Sequence, residues 1–262
     1  VYDMRDSLNL DKEDARLLEK IYKSFADNGA NLPADKKEEY KQVLQKLSLA
    51  SLKFSENVLA ATNAFILNIT DSTDLAGLPH FVIDGAALEA KNRGLEGWAI
   101  TLQYPSMGPF MQYSENRTLK EKVWRAYNTR AIGGEFDNQS VVKEIIGLRI
   151  KAANIMGFPT YADMALRDRM AKNAETVNSF LADLLDKSLP YAKRDVEAIQ
   201  KYANENGFEG KLMPWDFSYY SEKLKHEKYS INDELLKPYF KFENVIDAVF
   251  HLADPLYGLK FQ

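Results

Sequence analysis

A chain of 262 residues without cysteine excludes disulfides, thiol nucleophiles and thiolate metal sites. Its 34 basic and 38 acidic residues leave a net charge of −4, which argues against a general nucleic-acid binder. No apolar run approaches the ~18 residues that span a membrane, so the composition predicts a soluble protein with a core of its own.

Residues 10–28 read as a helix, with Asn9 as N-cap, Asp11, Glu13 and Asp14 in the first turn, and Leu17, Leu18, Ile21, Tyr22 and Phe25 along one face. Gly29 is placed to end it. Pro33 suits the first turn of a second helix, whose apolar face is Tyr40, Val43, Leu44, Leu47, Phe54 and Val58. Without a breaker for about 30 residues it extends on the order of 40 Å. An antiparallel hairpin with the first helix is expected.

FILNI (Phe65–Ile69) and WAITLQ (Trp98–Gln103) are the two β-like runs, and the simplest expectation pairs them. A two-stranded ribbon is marginal alone, which predicts a sheet completed by further chain. Between them Asp84 is a candidate cap for a brief helix over 85–92, and Gly94 and Gly97 bracket a turn. The corner YPSMGPFMQY (Tyr104–Tyr113) reads as a rigid turn. Thr118 and Glu121 then form a T-x-x-E capping box for a helix carrying Trp124 and Tyr127, which yields at Gly133–Gly134.

The remainder is helical. Asn138 is a candidate cap for a helix with Val142, Ile145, Ile146, Ala153 and Met156 inward, ended by Gly157. Thr160 with Asp163 starts a short helix. Asn173 opens an amphipathic segment carrying Phe180, Leu181, Leu184, Leu185, Leu189 and Val196, with a kink or break at Pro190 and an end at Gly207. WDFSYYSEKL after Pro214 reads as helix, Lys228–Asn232 as loop, and about 243–256 as a last helix. The fold class is mainly α with a small β element around 65–69 and 98–103. Residues 1–262 read as one segment with three parts: a helical hairpin (1–62), a β-containing part (63–117) and a helical part (118–262).

The search for chemistry begins with three histidines. HExxH places two imidazoles four residues apart on one helix face, with the Glu activating water. His226 and Glu227 begin such a string, but Ser230 stands where the second His belongs, and a solvated helix end is the simpler account. His80 follows Pro79 in a loop, His251 lies near a helix end, and both read as structural. Asp74, Asp84, Asp137 and Asp216 stand beside turns, where capping is the simpler use. Tyr219 and Tyr220, near Trp215, suit core or groove lining. No G-x-S-x-G elbow or phosphate loop is present. The residues alone support a helical domain with no catalytic or metal-binding residue and no assignable substrate contact.

DLAGLP (Asp74–Pro79), GWAITLQYPSMGPFMQYSENRTLKEKVWRAYNTRA (Gly97–Ala131), LRIKAANIMGFPTYADMALRDRMA (Leu148–Ala171), WDFSYYSEKL (Trp215–Leu224), KYSINDELLKPYF (Lys228–Phe240) and LYGLKF (Leu256–Phe261) resemble, in order, the thimet-oligopeptidase family of zinc metallopeptidases. The resemblance implies part of a two-lobed helical channel peptidase acting on short peptides as an oligopeptidase or peptidyl-dipeptidase. The zinc of that enzyme, held by two His and a Glu, would lie outside this sequence, and no zinc is expected here. The turn around Tyr104 and Met107 would then lie near an edge able to align an extended peptide. Val1 follows no signal-peptide pattern, and LYGLKFQ stops as an apolar segment begins. Both ends read as cut, so the missing N- and C-terminal parts of the same polypeptide are the implied partners, with cytoplasm and periplasm equally open. The resemblance predicts a catalytically silent piece; a non-enzymatic helical binding module is the alternative.

Overall fold

In the computed structural model, which describes residues 1–230 and 236–261, the first long helix starts at Asp11 rather than Asn9. Both residue types cap well, but the Asp11 carboxylate accepts the Glu13 and Asp14 amides at 2.9 and 2.8 Å, whereas Asn9 sits at φ +46°. Helix α1 (Lys12–Asp27) buries none of its residues, although the Tyr22 ring stacks on Tyr2 at 3.5 Å. Asn28 and Gly29 (φ +84°) end it.

The chain divides into two compact units. One comprises Val1–Leu67, Thr101–Gln103 and Arg125–Lys193; the other comprises Asn68–Ile100, Tyr104–Trp124 and Arg194–Gln262.

The first unit is built on α2 (Ala34–Ala64), which follows Pro33 as expected. Its main partner is α6 (Gln139–Ile155), a pairing distant in sequence, while toward α1 the Tyr40 hydroxyl donates to the Asp27 carbonyl at 3.2 Å. Tyr40 and Val43 meet Ala152 there, flanked by Leu44, Leu148, Ile155 and Met156. The small Ala152 allows the close approach; it and Ala153 are almost fully buried, while Val142 and Ile146, expected inward, are exposed. Asn138 occupies the N-cap position of α6 but makes no side-chain cap bond. Its amide instead donates to the Phe54 carbonyl at 3.0 Å and accepts from Asn57 Nδ2 at 2.9 Å. Asp137 satisfies the Gln139 amide in its place. Local signals hold elsewhere in this unit. Thr160 accepts the Asp163 amide to start α7 (Tyr161–Leu166), and Asn173 accepts the Thr176 amide to start the longest helix, Ala174–Glu205. That helix, α8, continues through Pro190 without the expected break, and its apolar residues from Phe180 to Val196 are exposed.

In the second unit, β1 (Leu67–Ile69) and β2 (Trp98–Ile100) pair as expected, each shorter than its run. Gly97 (φ +84°) sits so close to the Ile69 carbonyl that a Cβ would collide with it. Between the strands, α3 spans His80–Asn92, a longer helix than expected, led by Pro79 and not by Asp84. Val82, Ala86 and Ala90 bury its inner stripe.

The corner after β2 is itself a helix, α4 (Tyr104–Tyr113), correcting the expected turn. Pro105 lies in its first turn, where no amide is needed, so only Pro109 removes a ladder bond. Phe110 and Met111 are buried where α4 packs on α3, β2 and α9 (Phe217–Tyr229), and that burial outweighs the poor propensity of Pro and Gly. The next helix, α5 (Arg117–Asn128), is capped by Asn116, whose Oδ1 accepts the Leu119 amide at 3.0 Å. Thr118 lies inside it, so the T-x-x-E box does not form. α9 ends with Ser230 in the left-handed region (φ +51°). Of the expected loop, Lys228 and Tyr229 are helical, and 231–232 lie outside the described residues. The final helix, α10 (Phe242–Tyr257), matches its expectation and closes at Gly258. No described helix is long and apolar enough to cross a membrane.

Candidate functional site

The second unit holds a buried charge centre beside α9. Asp216, at the head of that helix, has a side chain only 1% exposed. Its carboxylate receives Nε and Nη2 of Arg117, each at 2.9 Å, and the Met213 amide at 2.8 Å. Asp216 is therefore a buried ion-pair partner and makes no side-chain cap bond to α9. The paired carboxylate raises the Arg117 guanidinium above its ordinary value. The guanidinium lies 5.5 Å from the Phe208 ring and 5.7 Å from the Trp215 ring, which meets Trp124 edge-on at 5.7 Å.

Lys120, one turn along α5 from Asn116, is 2% exposed. Burial pulls its ammonium down to about 8; the Asp216 charge opposes the shift, and Lys223 and Arg117 add to it. Its Nζ rests 3.8 Å from the centroid of the Tyr219 ring.

A cavity of about 430 Å³ opens beside α9. Tyr219, Glu222, Lys223 and His226 all line it. Their i, i+3, i+4, i+7 spacing makes this one face of α9. Tyr113 and Glu115 line it from the turn after α4, and Tyr202 from the last turns of α8. Gly77 completes the wall, in a turn tied to that segment by Glu115 N–H to the Ala76 carbonyl (3.0 Å) and by Asn116 Nδ2 to Asp74 (2.7 Å). A Cβ on Gly77 would run into the Tyr113 carbonyl and the Glu115 side chain. Burial raises the Tyr202 hydroxyl, and its hydrogen-bond partner Glu227 raises it further by negative charge. Burial alone would lower Lys223, but its hydrogen bond to Tyr219 and the neighbouring acidic groups leave it raised. Glu222 is bound to Lys225 at 3.1 Å. The arrangement can hold a small polar or charged group against aromatic walls.

The histidines are not brought together. His80 is the first residue of α3 and not part of a loop, His226 lines the cavity, and His251 lies in α10. Among the described residues no three His, Asp or Glu converge as metal ligands, so these residues do not fit a zinc centre. The His226-Glu227 string also loses helical geometry at its fifth position, because Ser230 has left-handed backbone. Tyr104 is 76% exposed at the start of α4, with Met107 half-buried one turn on. The groove-lining reading of Tyr219 holds. Sequence reasoning passed over Lys120, the Arg117–Asp216 pair and the cavity face of α9. The signals were a lysine in register with Val123 and Trp124, and a polar stripe at helical spacing in YSEKLKHE.

Residues 110–262 match the model of peptidase family M3. Oligopeptidase A of Haemophilus influenzae is 36% identical over 250 residues, which is 94% of this chain and 37% of the relative. A probable cytosolic oligopeptidase A of Arabidopsis thaliana is 38% identical over 93% of the chain and 36% of its own length. Dipeptidyl carboxypeptidase of Escherichia coli is 30% identical over 100% of the chain and 39% of its own length. The chain thus spans less than two-fifths of these relatives, while its own length is matched almost throughout. With the family model covering more than half of it, the chain belongs to peptidase family M3, the thimet-oligopeptidase family that its ordered motifs resemble.

Proposed function

We propose that this chain is part of a longer zinc-dependent peptidase that hydrolyses short peptides, and that the chain alone is catalytically silent. The observation that carries the reading is the family match over residues 110–262, together with relatives aligned along nearly the whole chain. The absence of HExxH from the sequence supports the second half. On this reading hydrolysis belongs to residues outside this sequence, and these helices supply scaffold and peptide-binding surface.

Two proteins test it: this chain and the product of the full reading frame that contains it. The longer protein is expected to encode HExxH downstream and to cleave a quenched-fluorescent oligopeptide until a chelator is added. The 262-residue chain with added zinc is expected to leave the peptide intact. Chelator-sensitive cleavage by the shorter chain at a comparable rate would overturn the silent-piece reading. A frame that closes without HExxH would overturn the peptidase.

A further inference from the structure

We propose that the cavity beside α9 binds an organic ammonium group, supplied by a lysine side chain or by the free N-terminus of a short peptide. The peptide as carrier rests on the function proposed above; the ammonium chemistry rests on the walls.

Three tyrosines, Tyr113, Tyr202 and Tyr219, line the cavity, and aromatic faces carry the negative end of their quadrupole toward a cation. The lining carboxylates Glu115, Glu222 and Glu227 outnumber the single lining lysine, Lys223. That ammonium is engaged within the wall: it donates to the Tyr219 hydroxyl and lies 4.5 Å from the centroid of that ring. Lys120 holds a second ammonium 3.8 Å from the same ring. The protein therefore already practises ammonium-on-tyrosine recognition at this wall, with its own side chains.

Of the acids, Glu222 has its ion-pair partner in Lys225, whereas Glu227 is engaged by the Tyr202 hydroxyl. An entering ammonium gains from Glu227 and Glu115 a charge-assisted bond that a neutral tyrosine does not provide. An entering carboxylate would face the like charges of Glu115 and Glu227, with Glu222 held by Lys225 and the Lys223 ammonium engaged at Tyr219. At about 430 Å³ the space lies within the ~300–1,000 Å³ typical of small-ligand sites. At Gly77 the wall carries no side chain, and a Cβ there would run into the Tyr113 carbonyl.

The test uses the isotope-labelled chain and reads the amide resonance of Gly77, a lining residue with no side chain to titrate. Acetyl-Gly-Lys-Gly-amide and Gly-Gly-Gly-amide supply the two amine sources; acetyl-Gly-Gln-Gly-amide and acetyl-Gly-Glu-Gly-amide are the neutral and anionic comparisons. Both amine peptides are expected to shift Gly77 saturably, and the tighter one identifies the source. Glu227→Gln is expected to weaken them about tenfold, the value of one charge-assisted bond. Lys223→Met is expected to tighten them about threefold by removing the competing ammonium. Both substitutions are at exposed positions, and their opposite signs cannot arise from a general loss of structure. Equal response to the neutral peptide, preference for the anionic one, or weakening by Lys223→Met would each overturn the proposal. No cleavage is read, so failure here leaves the peptidase reading standing, and the reverse also holds.

Discussion

Each unit contains a polar centre that joins distant parts of the chain around a buried side chain, and the two centres use different chemistry. In the first unit Asn57 and Asn138, 81 residues apart, join α2 to the start of α6 through neutral amides. In the second, Arg117 and Asp216, 99 residues apart, join α5 to α9 through a charge pair, with the buried Lys120 close by. A neutral tie is indifferent to pH and salt; a charged one is strong when complete and costly when halved. The candidate cavity lies beside the charged centre. There the electrostatic sensitivity is available to ligands, while the amide tie only holds helices together.

The largest expected effect is Asp216→Ala, which leaves Arg117 without its carboxylate. Removing one partner of a buried pair costs about 3–5 kcal/mol, and because the Arg117 side chain is 47% exposed, the loss should fall near the lower bound. Chemical denaturation at pH 7 measures it. A loss below about 1 kcal/mol would mean that solvent at Arg117 compensates, and the contrast between the two centres would disappear.

Next comes the pH response of Lys120. Its folded value of about 8 lies below the ordinary ~10.4, so between these pH values the unfolded chain binds more protons than the folded one. Stability should therefore rise with pH across that window, by up to about 3 kcal/mol. Tyr202 and Tyr220 act oppositely: burial raises both, so their contribution falls once pH passes the ordinary tyrosine range. Subtracting the profile of Lys120→Met isolates the lysine. A flat difference between pH 7 and 10 would show that its ammonium is solvated.

Asn57→Ala leaves the Asn138 carbonyl oxygen unpaired and should cost about 2 kcal/mol. The loss should be the same at pH 6 and pH 9, because neither amide titrates. A pH-dependent loss would remove the distinction between neutral and charged ties. The smallest effect separates two readings of one helix start. Asn116→Ala should cost about 1–2 kcal/mol through the lost cap together with the lost bond to Asp74, whereas Thr118→Ala should stay within about 0.5 kcal/mol. Thermal melts of the two variants decide between them.

What could be read from the sequence was local. The Thr160 and Asn173 caps, the glycine stops at Gly157 and Gly207 and the last helix each depend on residues within a few positions; the strand pairing is longer in range, but only two β-like runs were available to pair. What escaped depends on contacts made across the chain. Asn138 has the right residue type for a cap, but its side chain is drawn to Asn57 and Phe54. YPSMGPFMQY carries turn chemistry, yet burial of Phe110 and Met111 makes it helical. The main packing partner of α2 is α6, about a hundred residues on in sequence, where Ala152 meets Tyr40 and Val43; no local pattern near α2 points to it. The cavity was hidden for a related reason. A polar helix face reads as solvated until another segment, here Tyr113 and Glu115, is seen to face it.

The unbroken passage of α8 through Pro190 has a kinetic consequence. Proline gives the ladder no amide, so the Asp186 carbonyl, four residues earlier, has no helical donor to hold it. Both flanks of that position are exposed, so water can take the place of the missing donor. Opening of the helix should begin there, and deuterium should enter the amides just after Pro190 sooner than those around Tyr202 and Ala203, which are buried at the end of the same helix. A helix continuous in space is thus divided in time, with a weak turn near its middle and a slow-exchanging end.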